Sequence, residues 1–88
     1  MDILQSLEFR KVYKKLHANF RSVVNEQIKL IMQNPDIGEE KKQDLQGVFV
    51  HKFKFNDLIY LIAYTFDTSS LTLLALGTHE NFYRDLKR

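Results

Sequence analysis

Residues 48–66 of the chain read VFVHKFKFNDLIYLIAYTF. The first half of this stretch alternates, so that Lys52 and Lys54 share one face of a strand while aromatic residues occupy the other face. The dipeptide Asn56-Asp57 favours a turn. The residues after it form a continuous apolar run, which is typical of a central strand covered on both faces. The stretch therefore predicts a β-hairpin that carries two lysines on one face.

Two amphipathic helices precede this hairpin. Apolar residues recur at helical spacing over residues 9–16, and Ser6 is a suitable N-cap for this first helix. A second apolar series of the same period occupies residues 20–32, with Asn19 as its predicted N-cap and Asn34-Pro35 as its stop. Because the link between the two series is short, they are predicted to form an αα-hairpin.

The remaining segments complete an α+β domain. Residues 35–47 are polar and predict a loop, residues 71–78 predict a further strand, and residues 80–87 predict a short terminal helix. The residues before Ser6 form either a brief edge strand or a tail. We therefore expect a single domain over residues 1–88, with an N-terminal two-helix hairpin packed on a small antiparallel β-sheet and a short C-terminal helix.

The composition excludes several classes of protein. With 44% hydrophobic and 27% charged residues, the 88-residue chain is globular rather than disordered. Cysteine is absent, which excludes a disulfide scaffold and a thiol nucleophile, and the scattered histidines give a metal site little support. The longest apolar run is far shorter than the roughly 20 residues of a membrane helix, and the N-terminus lacks a signal-peptide pattern. We expect a soluble cytoplasmic protein without metal, cofactor or membrane contact.

Positive charge is concentrated in two segments, although the net charge is only +2. The basic residues that we expect to bind phosphate or RNA are Arg10, Lys11, Lys14, Lys15, Arg21, Arg84, Lys87 and Arg88. Separated basic patches on a small domain indicate a polyanion or an acidic protein as partner. The alternative is that these side chains only solvate helix surfaces.

In order and spacing, these features resemble the RelE/ParE toxins of bacterial type II toxin–antitoxin modules. The resemblance covers essentially the whole chain. It rests on Asn34-Pro35, on DLQG at 44–47, on HKFK at 51–54, on YLIAY at 60–64, on LGTH at 76–79 and on NFYR at 81–84. It implies a cognate antitoxin as partner, and DNA would be contacted only through that antitoxin.

The resemblance implies one of two activities. RelE-like toxins, including the YafQ and HigB types, enter the A site of the 70S ribosome and cut mRNA by attack of a 2′-hydroxyl on the adjacent phosphate. ParE-like toxins share the fold, lack that site and inhibit DNA gyrase. We expect the first activity, a ribosome-dependent endoribonuclease, and we keep gyrase inhibition by binding as the alternative.

Cleavage of RNA by its own 2′-hydroxyl requires a proton acceptor, a cation for the phosphate and a proton donor for the leaving oxygen. Lys52 and Lys54, about 7 Å apart along one strand face, can hold a phosphate between them, and they match the Lys-x-Lys of the RelE pattern. The imidazole of His79 can give or take a proton near neutral pH. Tyr83, four residues later, shares one side of the predicted helix with His79, as does an aromatic residue in YafQ-like toxins.

Each of these residues also has a purely structural interpretation. The lysines can belong to a solvated sheet edge, His79 can cap a helix and Tyr83 can pack in the core. His51, Asp57 and Arg84 are weaker catalytic candidates. By alternation, His51 faces away from the lysine pair and is expected to be a partly buried histidine with its polar atoms satisfied.

One position departs from the RelE pattern. RelE-type enzymes usually carry an Arg in the middle strand, within a Tyr-Arg-Leu-x-Tyr motif, and this chain has Leu61 there. Arg84 or Arg88 can replace that guanidinium only from the terminal helix. Because a bidentate guanidinium is difficult to replace, Leu61 keeps the gyrase alternative open.

Overall fold

The computed structural model describes residues 1–41 and 47–80. Its elements are β1 (Asp2–Gln5), α1 (Leu7–Lys14), α2 (Ala18–Gln33), a single 3-10 turn (Pro35–Ile37), β2 (Glu39–Lys41), β3 (Val48–Phe55), β4 (Leu58–Phe66) and β5 (Ser70–Thr78). Of the predicted terminal helix, His79 and Glu80 are helical. The rest of that helix lies outside the described residues, as do residues 44–46 of the DLQG segment.

The strands form one sheet in the order β1-β5-β4-β3-β2. Strands β2 to β5 pair antiparallel, as predicted for the hairpin and for the strand that follows it. The residues before Ser6 form a strand rather than a tail, and this strand pairs parallel with β5. The sheet is therefore antiparallel except at this edge, for which the sequence pattern indicated no strand direction. Parallel pairing needs a long crossover between the two strands, and here the whole segment from α1 to β4 provides it.

The β3–β4 hairpin closes as predicted at Asn56 and Asp57. Both residues have positive φ, at 51° and 65°, as in the two-residue turns whose twist matches that of paired strands. The register then places Lys52 opposite Leu61 and Lys54 opposite Ile59. This pairing fixes which β4 side chains lie beside the lysines.

Both helices cover one face of the sheet. Their buried side chains, Phe9, Val24 and Ile31, belong to the same core cluster as sheet residues of β3, β4 and β5. The predicted N-cap is confirmed, since the Ser6 hydroxyl accepts a hydrogen bond from the Phe9 amide at 3.0 Å and donates to a β5 carbonyl at 2.6 Å. The first turn of α1 is thus attached to the sheet.

The start of α2 differs from the prediction. The helix begins at Ala18 with His17 at the N-cap position, so Asn19 lies inside the first turn, where its side chain accepts a hydrogen bond from the Phe20 amide. An Asn residue is compatible with either the N-cap or the first turn of a helix, and the short link after α1 determines which residue begins α2. The predicted end at Asn34-Pro35 is confirmed, with Asn34 as the C-cap.

The segment predicted as a loop over residues 35–47 contains the 3-10 turn and β2. Glu39, the first residue of β2, pairs with Val50 although its local sequence has little strand character. The buried Tyr64 hydroxyl holds this segment, donating to the Pro35 carbonyl at 2.6 Å and accepting from the Gly38 amide at 3.0 Å. Burial raises the pKa of Tyr64, so its hydroxyl stays protonated and can donate. A tertiary contact, not a local signal, thus orders these residues.

Candidate functional site

The lysine-bearing face predicted for β3 exists. Lys52 and Lys54 are exposed, while the intervening Phe53 and the preceding His51 are buried. Phe53 belongs to the core beneath the helices, so alternation puts both lysines on the sheet face that the helices do not cover. Their spacing of about 7 Å along the strand leaves room for one phosphate between the two ammonium groups.

Leu61 lies directly beside Lys52 on this face. It is opposite Lys52 in the register and is fully buried in a second apolar cluster with Val50 and Ala63. The position at which RelE-type enzymes carry an Arg is therefore adjacent to the lysine pair. In this chain the leucine side chain at that position packs against aliphatic side chains.

A carboxylate that the sequence interpretation missed also lies on this face. Glu39 pairs with Val50, two residues before Lys52, and so shares the lysine side of the sheet. A hydrogen bond of 2.8 Å from the Lys41 ammonium, the charge of that ammonium and the charge of Lys52 lower the pKa of Glu39. The residue was missed because the polar segment that contains it was interpreted as a loop.

His79 follows the last residue of β5. The β4–β5 register ends at the pair Tyr60–Thr78, so His79, the first helical residue after β5, is at the end of the sheet where Ile59 lies. Ile59 is in turn opposite Lys54. The fold therefore brings His79 and the lysine pair to one end of the sheet.

His51 lies on the other side of the sheet, as expected from alternation. It is 9% exposed, and its Nε2 is 2.7 Å from the Gln27 side-chain oxygen of α2. Burial lowers the pKa of His51 below its ordinary value of 6.5. The prediction of a partly buried histidine with a polar partner is confirmed, and the structure does not bring this imidazole to the lysine face.

Of the remaining catalytic candidates, Asp57 falls within the described residues. Asp57 is exposed in the hairpin turn. Tyr83 and Arg84 lie outside the described residues, together with the basic residues Lys87 and Arg88.

The basic patch of α1 is separate from the lysine face. Arg10, Lys11, Lys14 and Lys15 are exposed, and α1 covers the opposite side of the sheet. Arg21 is only partly exposed and serves the end of α1. Its Nη2 donates to the Leu16 carbonyl at 3.0 Å, and its guanidinium lies 5.6 Å from the Tyr13 ring centre. Arg21 thus caps a helix end, although it was predicted to bind phosphate.

Within residues 1–41 and 47–80, no group of three or more His, Cys, Asp or Glu side chains is arranged to hold a metal ion. In the same part of the chain, no helix has the length and apolar character needed to cross a membrane.

The family model of the ParE-like toxins of type II bacterial toxin–antitoxin systems matches residues 3–87. The chain belongs to this family. The RelE/ParE resemblance of the sequence is confirmed, and the toxin has no significant match among curated proteins.

Solved structures show the same fold. The isolated E. coli RelE toxin superposes with a TM-score of 0.67 at 16% identity, over 99% of this toxin and 96% of RelE. A YoeB/ParE toxin from Agrobacterium tumefaciens gives 0.69 at 16% identity, over 90% of this toxin and 99% of that chain. A chain of the E. coli RelBE toxin–antitoxin complex gives 0.68 at 15% identity, over 86% and 93% of the two chains. These similarities establish the fold.

Proposed function

We propose that this toxin is a ribosome-dependent mRNA endoribonuclease. The observation that carries the proposal is the pair of exposed lysines on the sheet face opposite α1 and α2, with the Glu39 carboxylate on one side and His79 on the other. Glu39 offers a proton acceptor at the Lys52 end of this face, the lysines offer two cations, and His79 offers a proton donor at the Lys54 end. The fold shared with E. coli RelE supports the same interpretation.

The chemistry assigns one role to each group. The ionised Glu39, whose pKa is lowered, accepts the proton of the 2′-hydroxyl as the hydroxyl oxygen attacks the adjacent phosphorus. Lys52 and Lys54 neutralise the charge that accumulates on the phosphate oxygens. The leaving 5′-oxygen takes a proton from His79 as its bond to phosphorus breaks. The products are a 2′,3′-cyclic phosphate and a 5′-hydroxyl.

The ribosome supplies what the lysine face lacks. The face contains no bidentate guanidinium among the described residues, because Leu61 packs in the apolar cluster. A message fixed in the A site brings the scissile phosphate to the lysines already oriented, and orientation lowers the barrier independently of charge. The exposed cations of α1 bind ribosomal RNA on the opposite side of the toxin.

The partner that neutralises the toxin is a cognate antitoxin, as the toxin–antitoxin character of the family and the RelBE complex indicate. Its acidic segments match the basic surface of α1. It carries the DNA-binding function of the module, and the toxin acts in the cytoplasm, where ribosomes translate.

A second function is favoured by Leu61. At this position an aliphatic side chain is buried, and no guanidinium is there to bind the phosphate. In this alternative, the toxin does not cleave RNA; it binds DNA gyrase and inhibits it. The match to the ParE-like family model is consistent with that alternative.

Cleavage of a defined mRNA on purified 70S ribosomes, mapped by primer extension, tests the proposal. The variants are His79→Ala and the double variant Lys52→Ala/Lys54→Ala. Lys29→Ala is the matched control, since Lys29 is an exposed α2 lysine whose loss also removes one cation. We expect A-site cuts that require ribosomes, a loss of about 100-fold or more in rate for the site variants, and unchanged cleavage for the control.

Two results would contradict the proposal. One is an unchanged rate of cleavage by the site variants, which would show that the lysine face takes no part in the reaction. The other is intact mRNA from a protein that still arrests growth. In that second case, loss of DNA supercoiling by gyrase in the presence of the toxin would establish the alternative.

A further inference from the structure

A third lysine lies on the sheet face that carries Lys52 and Lys54. Lys41 of β2 pairs with Val48 of β3, and Glu39 pairs with the β3 residue two positions further on. Because alternate residues of a strand share a face, Lys41 and Glu39 both lie on the lysine face. The side chain of Lys41 is 24% exposed and that of Glu39 is 68% exposed. The lysine is therefore the more enclosed partner of the two.

The two side chains form an ion pair. The Lys41 ammonium donates a hydrogen bond of 2.8 Å to Oε1 of Glu39. This bond restricts the rotamers of a long and exposed carboxylate side chain. A carboxylate accepts hydrogen bonds at both of its oxygens, and the bond from Lys41 uses one of them. Glu39 can therefore accept a proton from a substrate hydroxyl while Lys41 still holds it.

The charge of Lys41 also acts on the encounter of Glu39 with RNA. A carboxylate and a phosphodiester are both anions, so they repel each other when the carboxylate approaches the 2′-hydroxyl beside the phosphate. The hydrogen bond from Lys41, the charge of that ammonium and the charge of Lys52 lower the pKa of Glu39, so both cations favour the anionic carboxylate. A glutamate is ionised at neutral pH without such help. The main effect of Lys41 is therefore on the position of the carboxylate.

We propose that Lys41 is a positioning residue for RNA cleavage, whose ion pair with Glu39 holds the carboxylate where the 2′-hydroxyl loses its proton. This inference rests on the proposed endoribonuclease function, in which Glu39 is the proton acceptor. A reacting group that is already oriented lowers the barrier of the step that it performs. Fold stability does not account for the pair, because ion pairs of exposed side chains contribute little to it.

Two other roles for Lys41 lead to different results. β2 is the last strand of the sheet, and lysines on edge strands prevent pairing with another chain. A lysine with that role alone can be replaced without a change in the rate of cleavage. A lysine that binds the RNA phosphate directly affects the rate whether or not Glu39 is present. A double-mutant cycle between Lys41 and Glu39 separates these roles.

The experiment measures kcat and KM for cleavage of mRNA on 70S ribosomes by wild type, Lys41→Met, Glu39→Gln and the double variant. Methionine keeps the length of the lysine side chain and removes its charge and its donor, while Lys41→Arg restores a cation that can donate. Lys29→Met is the matched control, because Lys29 also pairs with a glutamate, Glu26 at 3.8 Å, on the exposed surface of α2. Urea unfolding verifies that each variant is folded.

We expect Lys41→Met to lower kcat about tenfold and to change KM less than about twofold. Lys41→Arg should recover most of the rate, and Lys29→Met should cleave as wild type does. In the Glu39→Gln background, Lys41→Met should lower kcat less than about twofold, because the carboxylate that it positions is absent.

A wild-type kcat for Lys41→Met overturns the inference. A tenfold loss that persists in the Glu39→Gln background also overturns it, since Lys41 would then act on the RNA directly. In both cases the endoribonuclease stands. A wild-type rate for Glu39→Gln removes the proton acceptor, and the inference falls with it. Absence of ribosome-dependent cleavage by wild type overturns the proposed function itself.

Discussion

Replacement of Tyr64 by phenylalanine tests how the fold holds the Glu39 side of the site. The Tyr64 side chain is fully buried, and its hydroxyl links β4 to the segment that precedes β2. The change removes one oxygen atom and with it two hydrogen bonds, to the Pro35 carbonyl at 2.6 Å and from the Gly38 amide at 3.0 Å. The aromatic ring and its packing in the core are kept.

The size of the effect follows from these two bonds. A hydrogen bond of this kind contributes about 1 kcal/mol net to the free energy of unfolding. Since Tyr64→Phe leaves two backbone groups unpaired at the edge of the core, we expect a loss of about 2 kcal/mol in the free energy of unfolding. For a domain of this size, that corresponds to a fall of about 8–16 °C in Tm.

Urea unfolding followed by circular dichroism measures this loss. Tyr13→Phe is the matched control, because the Tyr13 hydroxyl donates to the Asn25 side chain at 2.6 Å in an exposed position. Water can replace the missing hydroxyl there, so we expect less than about 0.5 kcal/mol. Equal losses for the two variants would refute the argument that Tyr64 holds this segment in place.

Three further predictions concern this segment and the core beside it. In Gly38→Ala the new Cβ would lie 2.6 Å from the Tyr64 hydroxyl oxygen. We therefore expect urea titration to show a loss of about 1–3 kcal/mol in the free energy of unfolding. An unchanged urea midpoint would show that the tyrosine moves away from the new methyl group. Because burial lowers the pKa of His51 below 6.5, the unfolded chain binds more protons and stability falls as the pH drops below about 6.5. His51→Gln should weaken that pH dependence in urea titrations between about pH 7.5 and 5.5. If the free energy of unfolding changes with pH equally in the variant and in wild type, His51 is not its source. Glu39→Gln should slow single-turnover cleavage on ribosomes about 100-fold with little loss of stability, since this carboxylate is exposed; an unchanged rate would mean that another group takes the 2′-hydroxyl proton.

Part of the site could be predicted from the sequence because it depends on local periodicity. The alternation of β3 alone places Lys52 and Lys54 on one face and His51 on the other, and both placements are confirmed. The turn at Asn56-Asp57 and the Ser6 cap follow in the same way from short-range preferences.

Glu39 could not be predicted from the sequence, because the segment that contains it has no strand pattern of its own. Its position depends on pairing with Val50 and on the Tyr64 hydroxyl, 26 residues from Gly38 along the chain. Arg21 illustrates the same limit. Its charge alone predicts a contact with RNA. In the fold, its guanidinium instead donates to a carbonyl at the end of α1.

The sequence by itself determined both helices, strands β3 to β5, the lysine face and the family to which the chain belongs. Those features follow from side-chain alternation, helical spacing and turn residues, which act over a few positions. Only the tertiary structure decided which groups share that face: Glu39 opposite Val50, Leu61 in the apolar cluster beside Lys52, and Ile59 opposite Lys54. These neighbours are set by strand order and register, and register is fixed by the burial of the whole sheet against the helices.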